Sequence, residues 1–103
     1  MAMTPEKKVK DNVVKQLKAM GAYYFFPATG GYGTSGIPDI VGCYKGLFFG
    51  IEVKAGKNKP TALQENQLRL ISEAGGYDTW VNETNVGSVA EDIEIALAHL
   101  VEQ

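Results

Sequence analysis

One cysteine, one histidine, one tryptophan and no Lys or Arg beyond residue 69 mark this 103-residue chain. Each scarcity removes a class of explanation. Cys43 alone permits no internal disulfide and no Cys-based metal cluster, and it reads as a buried strand residue of an intracellular protein. His99 falls among the apolar positions of a C-terminal helix, far from other metal-binding side chains, and reads as a helix residue rather than a ligand. No apolar run approaches the roughly 20 residues that span a bilayer. Residues 1–8 lack the apolar segment of a secretory signal, so the expected location is cytoplasmic.

A glycine-rich stretch is present, but its context is wrong for a nucleotide site. Residues 31–36 satisfy G-x-G-x-x-G, yet Ile37-Pro38-Asp39 opens a strand where a helix should follow, and no Gly-Lys-Ser/Thr ending exists. A nucleotide-binding or transferase enzyme is therefore poorly supported. The loop reads instead as a connection whose Tyr32, Thr34 and Ser35 are placed to touch a nucleic-acid backbone or stack on a base. An ordinary solvated loop explains the same residues equally well.

What is there suits one globular domain over residues 1–103, with 45% hydrophobic residues. The net charge of −2 conceals a strong asymmetry. All ten Lys and Arg lie in residues 1–69 against five acids, whereas residues 70–103 carry seven acids and no base. Such polarity is compatible with one cationic face that meets phosphates.

Residues 36–54 organise the rest. Two short β-branched and aromatic runs, 40–44 and 47–53, are joined through Lys45-Gly46 and predict a hairpin. Counting outward from a two-residue turn sets Tyr44 opposite Leu47, Ile40 opposite Ile51, and then Asp39 opposite Glu52. Like charges so placed repel, being roughly 4.5–5.5 Å apart at Cβ. Lys54, two residues after Glu52, points to the same face, while Leu47, Phe49, Ile51 and Val53 form an apolar opposite face. Two hard carboxylates with a lysine beside them suit Mg²⁺ or Mn²⁺ and a phosphoryl substrate. The bland alternative is an edge hairpin with a solvated Glu and Lys.

The flanking elements follow from period and caps. A helix over 5–20 has Thr4 as its N-cap, Pro5 in its first turn and Val9, Val13, Leu17 and Met20 as its apolar stripe. Glu6 falls within that stripe, although a first-turn Glu also simply favours the helix dipole. Residues 22–26 predict a strand closed by Pro27. The turn 55–60 carries Lys57 and Lys59, placed to meet phosphates. Thr61 and Gln64 fit a capping box opening a second helix, and Ser88 and Glu91 fit another opening a third. A strand over 77–81 lies between those helices. The order αβββαβα implies an α/β protein with a mixed central sheet flanked by helices.

Gly36-Ile-Pro-Asp39, twelve residues, then Glu52-Val-Lys54, with Gln64 opening the next helix, resembles the PD-(D/E)xK nuclease core. More closely, it resembles the VRR-NUC branch, over about residues 4–81. That resemblance implies a restriction-endonuclease-like fold and a divalent-metal-dependent, structure-selective endodeoxyribonuclease. Among short stand-alone members it implies a resolvase of four-way (Holliday) junctions, and hence a homodimer with two active sites. Its implied metal ligands are Asp39, Glu52, the Val53 carbonyl and Glu6. Lys54 would position the attacking water, and Gln64 would support the site. A non-catalytic DNA-binding module of the same fold is the alternative.

Overall fold

A computed structural model describes residues 3–28 and 35–102. Helix α1 (Pro5–Met20) begins where the Thr4 hydroxyl accepts the Lys7 amide at 3.1 Å, and it ends at Gly21, whose φ of 78° suits glycine. Strands β1 (Tyr23–Phe25), β2 (Ile40–Tyr44) and β3 (Leu47–Val53) follow, then α2 (Ala62–Glu73), β4 (Tyr77–Val81), a short 3₁₀ turn (Val86–Ser88) and α3 (Val89–Val101). The four strands form one mixed sheet in the order β1-β2-β3-β4, antiparallel except for the parallel pair β3–β4.

The hairpin is the one the spacing dictates. Tyr44 pairs with Leu47 and Ile40 with Ile51. Lys45 and Gly46 take φ values of 50° and 92°, the doubly positive φ of a type I′ turn, whose twist matches that of the strands. β1 is shorter than the expected 22–26, because its ladder ends at Phe25 opposite Val41 and Pro27 donates no hydrogen bond.

The two sheet faces have different covers. Leu47, Phe49, Ile51 and Val53 are buried with Val9, Val13 and Leu17 of α1 and Val89 and Ile93 of α3, forming the main core. On the opposite face, α2 packs over β3 and β4. Gly50 makes that approach possible, since a Cβ there would strike the Ile71 side chain and sit 3.2 Å from Pro38.

Two expectations fail for identifiable reasons. Cys43 is exposed rather than buried, sharing its strip of sheet with the exposed Tyr23 and Phe48, at the end of this face that α2 does not cover. The second capping box does not form. The 3₁₀ turn runs straight into α3, so Ser88 has φ −101° and ψ 6° instead of the extended backbone of a cap. Its hydroxyl lies 3.2 Å from the Asn85 carbonyl and 2.9 Å from Asp92 Oδ2. The first box is intact: Thr61 Oγ1 accepts the Gln64 amide at 3.2 Å, and Gln64 Oε1 accepts the Thr61 amide at 2.9 Å.

Candidate active site

Three elements converge on Glu52. β3 carries it on the face covered by α2, with Trp80 of β4 beside it in the parallel register. Among the described residues it is the one buried charged side chain, 2% exposed. Gln64, in the first turn of α2, donates from Nε2 to Glu52 Oε1 at 3.2 Å. Lys54 Nζ lies 3.8 Å from the same oxygen, with its side chain 14% exposed. The other oxygen, Oε2, is buried with no hydrogen-bond partner.

Asp39 occupies a bend just before β2, and the backbone ladder stops at Ile40–Ile51. Its carboxylate takes over where the ladder stops, accepting the Val53 amide on Oδ2 at 2.8 Å. Preceding Asp39, Pro38 has no N–H to contribute and lies packed near Gly50. The side chain of Asp39 thus extends the hairpin by one hydrogen bond and is held beside Glu52.

The electrostatic consequence is large. Burial, then the contact and charge of Asp39, push the Glu52 carboxyl up from 4.5 to about 8; Lys54 opposes this, and Glu6 adds to it. A buried carboxylate oxygen without a partner beside a second carboxylate is a pair of hard oxygen donors, of the kind that suits Mg²⁺ or Mn²⁺ better than softer metals. The residues present fit such an ion.

A cleft of about 370 Å³ opens at this point, walled by Asp39 and Val53 on one side and by Glu6 and Lys10 of α1 on another. Glu6 is exposed, and among the described residues no three His, Cys, Asp or Glu side chains cluster as one ligand set, so Glu6 does not join Asp39 and Glu52 as a third acid. Its place is therefore the cleft wall, outside the Asp39–Glu52 pair. Lys57 and Lys59 are exposed on the turn after β3. That turn is tied down by a residue the sequence did not single out: both Glu83 carboxylate oxygens accept the Gly56 amide at 3.0 Å. Backbone amides, its own first and then that of Gly56, hold the Glu83 carboxyl below its usual range. Ser35 is exposed, while Tyr32 and Thr34 lie outside the described residues.

Two further cleft residues escaped the sequence reading, Lys10 and Phe26. Lys10 belongs to no local motif, and Phe26 ends the run 22–26 that predicts a strand. Only the return of the chain past α1 brings them together.

Comparison with solved structures gives the same architecture. A structure named "VRR_NUC domain" superposes with a TM-score of 0.66 at 18% identity, covering 94% of this chain and 98% of its own. The chain has the fold of VRR_NUC domains. A second, "VRR_NUC domain protein", superposes with a TM-score of 0.64 at 19% identity, covering 90% of each chain. No family model and no curated protein matches the sequence. The VRR_NUC fold thus rests on three-dimensional likeness, and the chemistry on the residues above.

Proposed function

We propose that this protein is an Mg²⁺- or Mn²⁺-dependent endonuclease that hydrolyses DNA phosphodiester bonds. One observation carries the reading: a buried Glu52 with an unpartnered Oε2, set against Asp39 and flanked by Lys54. The names of the structural neighbours point the same way.

Asp39 and Glu52, with the Val53 carbonyl, would hold the ion, which when bound offsets negative charge on a phosphoryl oxygen and acidifies a water. The protein's own groups do the remainder. Val53 fixes the Asp39 carboxylate through its amide, so that side chain cannot swing away from Glu52. Gln64 fixes Glu52 by its Oε1, leaving Oε2 as the free donor. The Lys54 ammonium, a compact cation on a mostly buried stem, orients the attacking water or steadies the phosphate. Lys57 and Lys59 meet the backbone of the DNA beyond the cut.

The substrate is structured or branched DNA, four-way junctions included, and the working form is a homodimer, since symmetric resolution needs two sites. Recognition by shape and backbone suits a chain with no evident base-reading helix. A non-catalytic DNA-binding module is the second reading, and what weighs against it is the paired acids, which would only repel phosphate if no cation were used.

The deciding experiment is cleavage of single-stranded, duplex, flap and four-way-junction DNA with Mg²⁺ or Mn²⁺. Asp39→Ala should nearly abolish cleavage while circular dichroism stays native. If Asp39→Ala cuts as fast as the parent, the mechanism is wrong. DNA binding that survives EDTA with no product under either metal would establish the second reading.

A further inference from the structure

Phe26 stands out as the one aromatic ring among the described residues that line the cleft. The residue is 49% exposed, yet its ring is held from two sides. Lys10 Nζ lies 4.1 Å from the ring centroid, over its face, and the ring of the half-buried Tyr24 sits 6.0 Å away, tilted by 56°. An apolar ring that is fixed and open to water offers a surface without having to be ordered on binding. The same cleft contains Asp39.

We propose that Phe26 and Lys10 form a nucleotide subsite, in which the ring stacks on one unpaired base next to the phosphate that an ion on Asp39 and Glu52 would hold. This rests on the nuclease reading and specifies its substrate: DNA whose strand is splayed at the cut, as at a fork or flap. Three features of the cleft support it. Aromatic rings stack on any base, because every base has a π-face, so the contact selects an exposed base rather than a sequence. Lys10 is shared between the ring and the solvent side of the cleft, and its charge is available to the phosphate of the stacked nucleotide. The volume of about 370 Å³ is near the lower end of the roughly 300–1,000 Å³ typical of sites for one small molecule. That is room for one nucleotide drawn out of the stack. A base that is already unpaired enters without the cost of leaving a duplex, so forks outcompete continuous duplex.

The test uses the whole chain with Ca²⁺, a hard oxygen-seeking cation, in place of Mg²⁺ or Mn²⁺, and a forked DNA with 2-aminopurine at the first unpaired nucleotide, beside a duplex of the same sequence. The parent should quench the fork signal and leave the duplex signal unchanged. Phe26→Leu should remove the quench and weaken fork binding roughly 5- to 100-fold, with duplex binding within about twofold. Phe26→Trp, a larger stacking surface, should keep the quench, and a folded Phe26→Trp protein without it would overturn the subsite. So would equal quenching by parent and Phe26→Leu, an equal loss of fork and duplex binding, or no fluorescence change on any DNA. Cleavage of unlabelled fork with Mg²⁺ or Mn²⁺ separates the two readings. A protein that stacks the base but never cuts loses only the nuclease reading. One that cuts without any quench that depends on Phe26 loses only the subsite.

Discussion

Gln64 serves two masters: its Oε1 closes the first turn of α2 on the Thr61 amide, while its Nε2 holds Glu52 Oε1 at 3.2 Å. The helix cap and the buried carboxylate are therefore joined by one side chain. Mutation can separate the two. Thr61→Ala removes the cap alone and should cost about 1 kcal/mol, or roughly 4–8 °C in Tm, with cleavage largely kept. Gln64→Ala loses the support of Glu52 as well, and cleavage should fall by at least about tenfold more than for Thr61→Ala. Equal activities in the two variants would mean that Gln64 is only a cap.

The raised carboxyl of Glu52 makes stability depend on pH in an unusual direction. Between its ordinary 4.5 and its folded value of about 8, the native state binds more protons than the unfolded chain, so stability falls as pH rises through that window. The slope contributed by this group is at most about 1.4 kcal/mol per pH unit. Thermal melts of metal-free protein from pH 5 to 8 should show the decline, and Glu52→Gln should flatten it. A saturating divalent ion binds the ionised form and should reverse the trend, adding about 2.7 kcal/mol at a hundred times its Kd. Melts of the parent with no such decline would remove the electrostatic account of the site.

Gly36 fixes the approach of the Asp39 limb to α2. Its φ is +83°, and a Cβ there would lie 2.5 Å from the carbonyl carbon and oxygen of Leu63, which are backbone atoms that cannot yield as a side chain would. Gly36→Ala combines left-handed strain of about 1–2 kcal/mol with that overlap. It should lower stability by more than about 2 kcal/mol and reduce cleavage in the folded fraction, because Asp39 and Gln64 would be pushed apart. Denaturant titration paired with active-site-normalised rates measures both.

Tyr44 supplies a control far from the chemistry. Its hydroxyl donates to Glu94 Oε1 at 2.6 Å, joining β2 to α3 across the core face. Tyr44→Phe should cost roughly 1–2 kcal/mol, as for a hydrogen bond to a charged group, without changing cleavage at a temperature where both proteins are folded. A change in cleavage would show that α3 communicates with the site.

Much of this was legible in one dimension, where the governing interactions are local. A two-residue turn fixes a hairpin register, so the pairing from Tyr44–Leu47 to Ile40–Ile51 could be counted from Lys45-Gly46 alone. The same counting put Glu52 and Asp39 together, and short-range caps placed the starts of α1 and α2. The caps failed at Ser88, where a preceding 3₁₀ turn, invisible in a four-residue motif, set the backbone instead.

What only the tertiary structure decided is how that face of the sheet is covered. Alternation along a strand says which side chains share a side, but not whether water or a helix lies over them. Here α2 covers β3 and β4, burying Glu52 to 2% exposure, and stops short of the other end, leaving Cys43 in solvent. Burial is what raises the Glu52 carboxyl beside Asp39, and the return of the chain past α1 after β1 is what sets Phe26 against Lys10. Both depend on contacts between segments distant in the chain, for which no local pattern carries a signal.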